Sequence, residues 1–312
     1  MNQLQFYTEH TFAYPGCEEV WEGTGALTPE EVLELAEYAH ARFVELVPNQ
    51  QSFGHLQHWL KLDKWKHLAE LPEGTSNLFT GDYCCAMWDD PENMPNILSP
   101  DNASLAFLNE RFAALLTAFP LVNVRVTGHA DAKANCPREK AGLKSQNADD
   151  SQERDKAGLK SQNAAGFQRF EDAHFGDTEA DTGGGAWVAV YVAFLRSIAA
   201  LAKDNFNTTI QWWGDVDAEQ QNAGDAAPPT GIIMEWGYEA HHPFKQRGLG
   251  FQRRKQRFYV APGTSAWNSI GGRLSNSFSN IANAAASAAS TGAEGLLLTD
   301  WGDNGHVQRD CS

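Results

Sequence analysis

The sequence predicts an α/β chain of the TIM type, a (β/α)8 barrel, and three observations carry that prediction. Apolar runs of strand length end repeatedly in tryptophan, carboxylate and imidazole side chains. Helical stretches alternate with many of them. The chain has 312 residues, 42% of them hydrophobic, which suits one such domain, whose usual size is roughly 250 residues. The clearest run is GLLLTDWGDNGH (295–306). Gly295 to Thr299 is compact and apolar, and it stops at Asp300, Trp301, Asp303 and His306. Barrel enzymes assemble their sites from such C-terminal strand ends. An indole offers an apolar plate to a sugar ring, and a neighbouring carboxylate accepts hydrogen bonds from its hydroxyls. A single run of this kind reads equally well as a buried Trp beside solvated acids, so recurrence decides.

The pattern recurs along the chain. LQFYTEHTFAY (4–14) ends in Glu9 and His10, and FVELVPNQQSFGH (43–55) in Asn49, Gln50 and His55. TIQWWGDV (209–216) ends in Trp212, Trp213 and Asp215, and GIIMEWGYEAHHPF (231–244) in Glu235, Trp236, Tyr238, Glu239 and His241. RFYVAPGTSAWNS (257–269) runs from Tyr259 to Trp267 and Asn268. With 121–127 and 295–299, the candidate strands lie near 4–8, 43–47, 121–127, 209–213, 231–235, 257–260 and 295–299. Between them, Thr28, Pro29 and Glu31 form a capping box ahead of Val32, Leu35, Ala36, Ala39 and Phe43 at helical spacing. Ser104 is read as the cap of a helix with Leu105, Leu108, Phe112, Leu115 and Phe119 on one face. Trp187 to Lys203 is a third helix, and Ser275 to Thr291 a fourth, Ala-rich and stopped by Gly292. Alternation of this kind predicts a parallel sheet with right-handed crossovers.

Seven strands are one short of a closed barrel. The expectation is a single domain over 1–312 that lacks strand 1 and the final helix. Residues 132–170 differ in kind. REKAGLKSQNA (138–148) returns as RDKAGLKSQNA (154–164), a tandem repeat of period 16, too few copies for a solenoid. The segment is polar and is expected to be a disordered or weakly helical insertion; a lid or recognition loop is the functional alternative.

Composition narrows the function. A net charge of −16 with no isolated basic block argues against nucleic acid and anionic membrane as partners. No apolar run approaches the ~20 residues of a membrane span, and the N-terminus lacks the basic-then-apolar pattern of a signal peptide. The default expectation is therefore a cytoplasmic location. The five cysteines (Cys17, Cys84, Cys85, Cys136 and Cys311) show no disulfide or metal spacing and read as a reducing compartment. The adjacent His241 and His242 diverge and have no matching Cys/His cluster, so no metal and no cofactor are expected.

The strings TEHTFAY, ELVPNQQSFGH, QWWGDV, MEWGYEAHHPF, FYVAPGTSAWNS and LLTDWGDNGH resemble bacterial members of glycoside hydrolase family 20, the β-N-acetylhexosaminidases. The resemblance covers about 1–120 and 186–308. It implies a (β/α)8 barrel whose strands 2 to 8 lie in this chain, with strand 1, the usual source of a substrate-binding Arg, upstream. It implies substrate-assisted retention, an exception to the two-carboxylate scheme. The 2-acetamido oxygen attacks C1, a Glu at the end of strand 4 protonates the leaving oxygen, and the preceding Asp steadies the acetamido group. The acid must be protonated near working pH.

The adjacent Asp-Glu pair of the family is absent here. LVNVRVTGHADA (121–132) ends in His129, Ala130 and Asp131, so Asp131 is one candidate acid. HFGDTEADTGGG (174–185) is the other. Asp177, Asp181, Gly183 and Gly185 match the family motif Gly-x-Asp-Glu-Thr-x-Asp-Leu-Gly-x-Gly, but Thr178 takes the Glu position and Glu179 the Thr position. An acid moved by one residue on a strand faces the other side. The catalytic candidates are thus Glu179, Asp177 and Asp131. The same segment also reads as an acidic, Gly-rich loop. The resemblance makes Trp301 a pocket residue, Asp303 a ligand of sugar hydroxyls, and Trp236 and Trp267 the lining of the acetamido pocket or of its rim. Trp213, Asp215, Glu239, Tyr259, Asn49, His55 and Glu9 complete the substrate-binding set, with a structural role for His55 as the alternative. The expected partner is a glycan bearing N-acetylhexosamine, and self-association into a homo-oligomer is left open. The expected function is removal of a terminal β-linked N-acetylhexosamine. A carbohydrate-binding pseudoenzyme, or an inactive fragment, is the alternative.

Overall fold

The computed structural model describes residues 2–72, 95–119, 125–128, 184–214, 231–268 and 273–301. Within them seven strands form one sheet: β1 (Gln3–Tyr7), β2 (Glu45–Asn49), β3 (Arg125–Gly128), β4 (Thr209–Trp213), β5 (Ile232–Trp236), β6 (Phe258–Ala261) and β7 (Gly295–Leu296). They lie side by side in sequence order, and each pairing is parallel. Parallel neighbours need a crossover. Helices α1 (Glu18–Trp21) and α2 (Pro29–His40) link β1 to β2, and α3 (Gln57–Leu60), α4 (Asp63–Lys66) and α5 (Asn102–Ala118) lie between β2 and β3. Helix α6 (Gly184–Phe206) leads into β4, α7 (Phe244–Arg253) joins β5 to β6, and α8 (Leu274–Thr291) joins β6 to β7.

The sheet is rolled. Gln5 Nε2 on β1 donates to Gln211 Oε1 on β4 at 2.8 Å, although β2 and β3 stand between. In a flat sheet three strand spacings would hold β1 and β4 about 14 Å apart. Side chains alternate accordingly. Ile210 and Trp212, Ile233, and Phe258 and Val260 join the large apolar cluster with the helices. Trp213, Met234 and Ala261 form a separate small cluster on the opposite, concave face. The large cluster takes Phe107, Leu108, Phe112 and Leu115 from α5 and Leu195, Ile198 and Ala202 from α6. Each Phe, Leu or Ile side chain of this layer contributes about 1.5–3 kcal/mol by leaving water, so the layer holds the strands in place.

Several helix ends follow the sequence. Thr28 Oγ1 accepts from Glu31 N at 3.2 Å and Glu31 Oε2 accepts from Thr28 N at 2.8 Å, with Pro29 in the first turn. Gly292 ends α8 at φ 75°, the left-handed value that glycine tolerates best. Other expectations shift. Asp101, not Ser104, caps α5: its carboxylate accepts from Ser104 N at 2.9 Å, which places Ser104 inside the first turn. Both residues are competent caps three positions apart, and the extended backbone at Asp101 selects it. Phe43, expected in a helix face or at a strand start, sits in a turn at φ 61° and is 91% exposed. β2 therefore begins two residues later than expected, at Glu45. Helix α7 had no sequence signature. It has no side-chain N-cap and contains Gly248 and Gly250, both poor helix formers. Gly248 is there for packing: a Cβ would come within 2.7 Å of Thr291 Oγ1 on α8.

No helix among the described residues is long and apolar enough to cross a membrane. Cys17 is a buried free thiol. The insertion expected at 132–170 lies outside the described residues.

Candidate functional site

In a parallel sheet all C-terminal strand ends share one edge, and here that edge carries the aromatic side chains. Trp213 closes β4 and Trp236 closes β5, and Trp301 follows β7. Period-2 alternation puts Trp213, Met234, Trp236 and Ala261 on the concave face, where Trp236 and Trp301 pack on the Trp213–Met234–Ala261 floor. The rings form a connected chain. Trp213 and Trp301 lie 5.8 Å apart at 56°. Trp301 Nε1 donates to Tyr238 Oη at 2.9 Å. Tyr238 is 5.1 Å from Trp236 and meets Trp267 edge-on at 4.9 Å. Trp213 and Trp267 are buried, whereas Trp236, Tyr238 and Trp301 are partly exposed. The arrangement is a wall of aromatic faces in which the Trp301 indole N–H is already satisfied.

Two features close the wall. At Gly263 a Cβ would come within 2.6 Å of both Trp267 and Tyr238 and 2.9 Å of Thr299 Oγ1, so only glycine lets these rings meet. Helix α8 supplies the second feature, a row of asparagines at Asn276, Asn280 and Asn283 on one face. Asn280, fully buried, donates through Nδ2 to Gly237 O at 2.9 Å and Glu239 O at 2.8 Å, and accepts from Gly263 N at 3.0 Å. Asn276 donates to Tyr238 O at 2.6 Å and accepts from Ala240 N at 2.9 Å. Asn283 donates to Ala240 O at 3.1 Å and His242 O at 2.8 Å. Residues 237–242, which carry Tyr238, are thereby stitched to α8. The sequence shows Tyr238 at this strand end but gives it no place in the substrate-binding set, and the asparagine row has only one sequence signal, three Asn at i, i+4 and i+7 in an Ala/Ser helix.

The remaining expected residues are placed as follows. Glu239 is exposed and gripped by Arg273 through two bonds of 2.7 and 2.8 Å. The guanidinium holds its carboxyl below the usual glutamate range. Glu239 thus ties its loop to the start of α8. Tyr259 shares the concave face of β6 with Ala261, its ring packed over Gly295, where a Cβ would approach to 2.9 Å. Glu235 faces the helices instead. It is 1% exposed, and Oε1 accepts from His242 Nε2 at 2.7 Å and Arg247 Nη1 at 2.9 Å.

A second group lies at the same sheet edge, beyond β1 and β2. Asn49 closes β2, and its backbone oxygen takes both the N–H and the hydroxyl of Thr8, at 2.9 and 2.8 Å. His55 occupies a left-handed turn at φ 55° ahead of α3. Glu9 is buried. Its Oε1 accepts from His58 N at 2.9 Å, its Oε2 lies 3.1 Å from His10 Nδ1, and its backbone oxygen accepts from Trp59 Nε1 at 2.9 Å. Tyr14, buried beside this group, has its phenol pushed upward by burial and so stays neutral. Asp131, Asp177, Glu179, Asp215 and Asp303 lie outside the described residues.

Rolled parallel sheet, helices on one face and aromatic strand ends define an α/β protein whose C-terminal sheet edge carries the candidate site. Solved structures share this fold. The chain superposes on a β-N-acetylhexosaminidase from Bacteroides fragilis with a TM-score of 0.51 at 15% identity, covering 86% of this chain and 44% of that one. It superposes on the chitobiase of Flavobacterium johnsoniae with a TM-score of 0.55 at 13% identity, covering 96% of this chain and 40% of that one. The chain thus spans less than half the length of either. No protein-family model matches the sequence, and comparison with curated proteins finds no relative.

Proposed function

We propose that this chain carries the sugar-binding part of a glycoside hydrolase that removes a terminal β-linked N-acetylhexosamine. The observation that carries the reading is the aromatic wall of Trp213, Trp236, Tyr238, Trp267 and Trp301 at one sheet edge. Apolar sugar faces stack on such rings. The fold shared with two hexosaminidases supports the choice of sugar. In this reading 1–312 is one barrel domain with an insertion at 132–170. Trp236, Trp267 and Trp301 surround the acetamido group, and Asp215 and Asp303 take sugar hydroxyls. The acetamido oxygen attacks C1, Glu179 or Asp131 protonates the leaving oxygen, and Asp177 steadies the acetamido N–H.

The test has a binding arm and a turnover arm. An oxazoline mimic of N-acetylglucosamine should quench tryptophan emission, and Trp301→Ala should weaken its binding by about 1–3 kcal/mol, the worth of burying a large side chain. Unchanged affinity would place the sugar elsewhere. Glu179→Gln should slow hydrolysis of a natural glycoside about 10²–10⁴-fold and matter much less for a nitrophenyl glycoside, whose aglycone needs little protonation. Loss with Asp131→Asn instead would move the acid to that strand end. The absence of an adjacent Asp-Glu pair favours a second reading, a carbohydrate-binding pseudoenzyme. It predicts binding of the mimic with no turnover of either substrate.

A further inference from the structure

We propose that Glu9, His10 and His58 bind one divalent first-row transition-metal ion of the zinc class. One ligand atom from each residue lies within 4.8 Å of the others. Two imidazoles and a carboxylate are a donor set that suits zinc, nickel or copper. At zinc bond lengths of about 2.0–2.2 Å, donors around a tetrahedral ion stand about 3.3 Å apart, so the widest separation in the cluster must shrink by up to about 1.5 Å. Glu9 Oε2 and His10 Nδ1 already lie 3.1 Å apart.

The backbone brings the cluster together. His58 N–H binds Glu9 Oε1, and Trp59 Nε1 binds the Glu9 backbone oxygen, each at 2.9 Å. These bonds join the segment after β1 to the start of α3 and hold the imidazoles beside each other. They commit Oε1, so Glu9 would ligate through Oε2 alone. The carboxylate is 4% exposed, while His10 and His58 are partly exposed, which gives an ion a path and leaves a position for water. The rings stand stacked at 3.8 Å and 23°, with near-parallel planes. Capture therefore requires one ring to turn about its Cβ–Cγ bond so that the lone pairs converge. The sequence expectation of no metal rested on cysteine spacing and on the His241–His242 pair. It could not see a site whose halves lie 49 residues apart.

The test uses the full chain, stripped with a chelator, and zinc chloride as the probe in calorimetry. The expected result is one saturable site per chain. His10→Ala and His58→Ala should each weaken it by about tenfold or more, a size already reached by loss of the groups that merely support a ligand. His241→Ala should leave it unchanged. Glu9 is a poor target because it also accepts the His58 N–H. If a histidine variant fails to fold, copper(II) electron paramagnetic resonance on the parent chain decides, with hyperfine coupling to two imidazole nitrogens expected. No saturable zinc binding, binding indifferent to both variants, loss with His241→Ala, or fewer than two coupled nitrogens would overturn the proposal.

Discussion

Asn280→Ala probes the link between α8 and the aromatic wall. Asn280 makes three hydrogen bonds, two donated to Gly237 O and Glu239 O and one accepted from Gly263 N, the one to Glu239 only partly buried. Each contributes about 0.5–1.5 kcal/mol net, and truncation removes the Asn280 partner of Gly237 O and Gly263 N, while Glu239 O keeps the His242 N–H. The sum is about 3 kcal/mol at mid-range. In urea unfolding followed by tryptophan emission, that lowers the midpoint by about 1 M for a slope near 3 kcal/mol/M. The same variant should loosen Tyr238, whose hydroxyl holds the Trp301 indole, and so weaken the oxazoline mimic beyond what lost stability explains. Asn280→Asp should be as damaging at neutral pH. It keeps the acceptor for Gly263 N but turns a carboxylate towards two carbonyl oxygens. Burial beside them raises its pKa above the unfolded value. Its stability deficit is therefore smallest below the ordinary aspartate range and grows as pH rises through the raised value. A cost for Asn280→Ala below about 0.5 kcal/mol, the range of an ordinary surface change, would refute the stitching role.

Other substitutions test neighbouring parts of the same argument. Gly263→Ala should force Trp267 and Tyr238 apart, since its Cβ would sit 2.6 Å from each; near-ultraviolet dichroism should lose aromatic fine structure, and an unchanged spectrum would show that the rings can yield. The Glu239 carboxyl should titrate below the ordinary glutamate value because Arg273 binds both its oxygens. Whatever this exposed pair adds to stability is present above the unfolded pKa and fades as pH falls through the lowered one. Carbon-detected NMR should show the midpoint moving back up in Arg273→Ala, and no movement would assign the shift to another group.

What the sequence made legible is what local periodicity controls. Strands β4 to β6 were readable because short β-rich apolar runs end in a change of chemistry, and the two-residue alternation then separates Trp213 from Trp212 and Trp236 from Glu235. The Thr28 box and Gly292 were readable because helix ends have few chemical solutions. Helix α7 was not, since Gly248 answers to a contact with Thr291 across the interface with α8 rather than to helix propensity. The site divided the same way. Its tryptophans announced themselves, but the roles of Glu239 and Glu9 depended on partners 34 and 49 residues away.

At β5 to β7 the polar atoms are spent on one another: Asn280 on main chain, Arg273 on Glu239, the Trp301 indole on Tyr238. What remains for a ligand is apolar ring surface, which suits a sugar face and selects weakly among sugars. Discrimination must then come from carboxylates set beside the rings, because a site built to hydrogen-bond a hydroxyl rejects ligands that lack it far better than an apolar wall does. In the proposed reading those carboxylates are Asp215 and Asp303, each two residues beyond a wall tryptophan, Trp213 and Trp301. In that reading the aromatic wall holds a pyranose face, Asp215 and Asp303 select which pyranose is held, and cutting its glycosidic bond falls to a separate acid, Glu179 or Asp131.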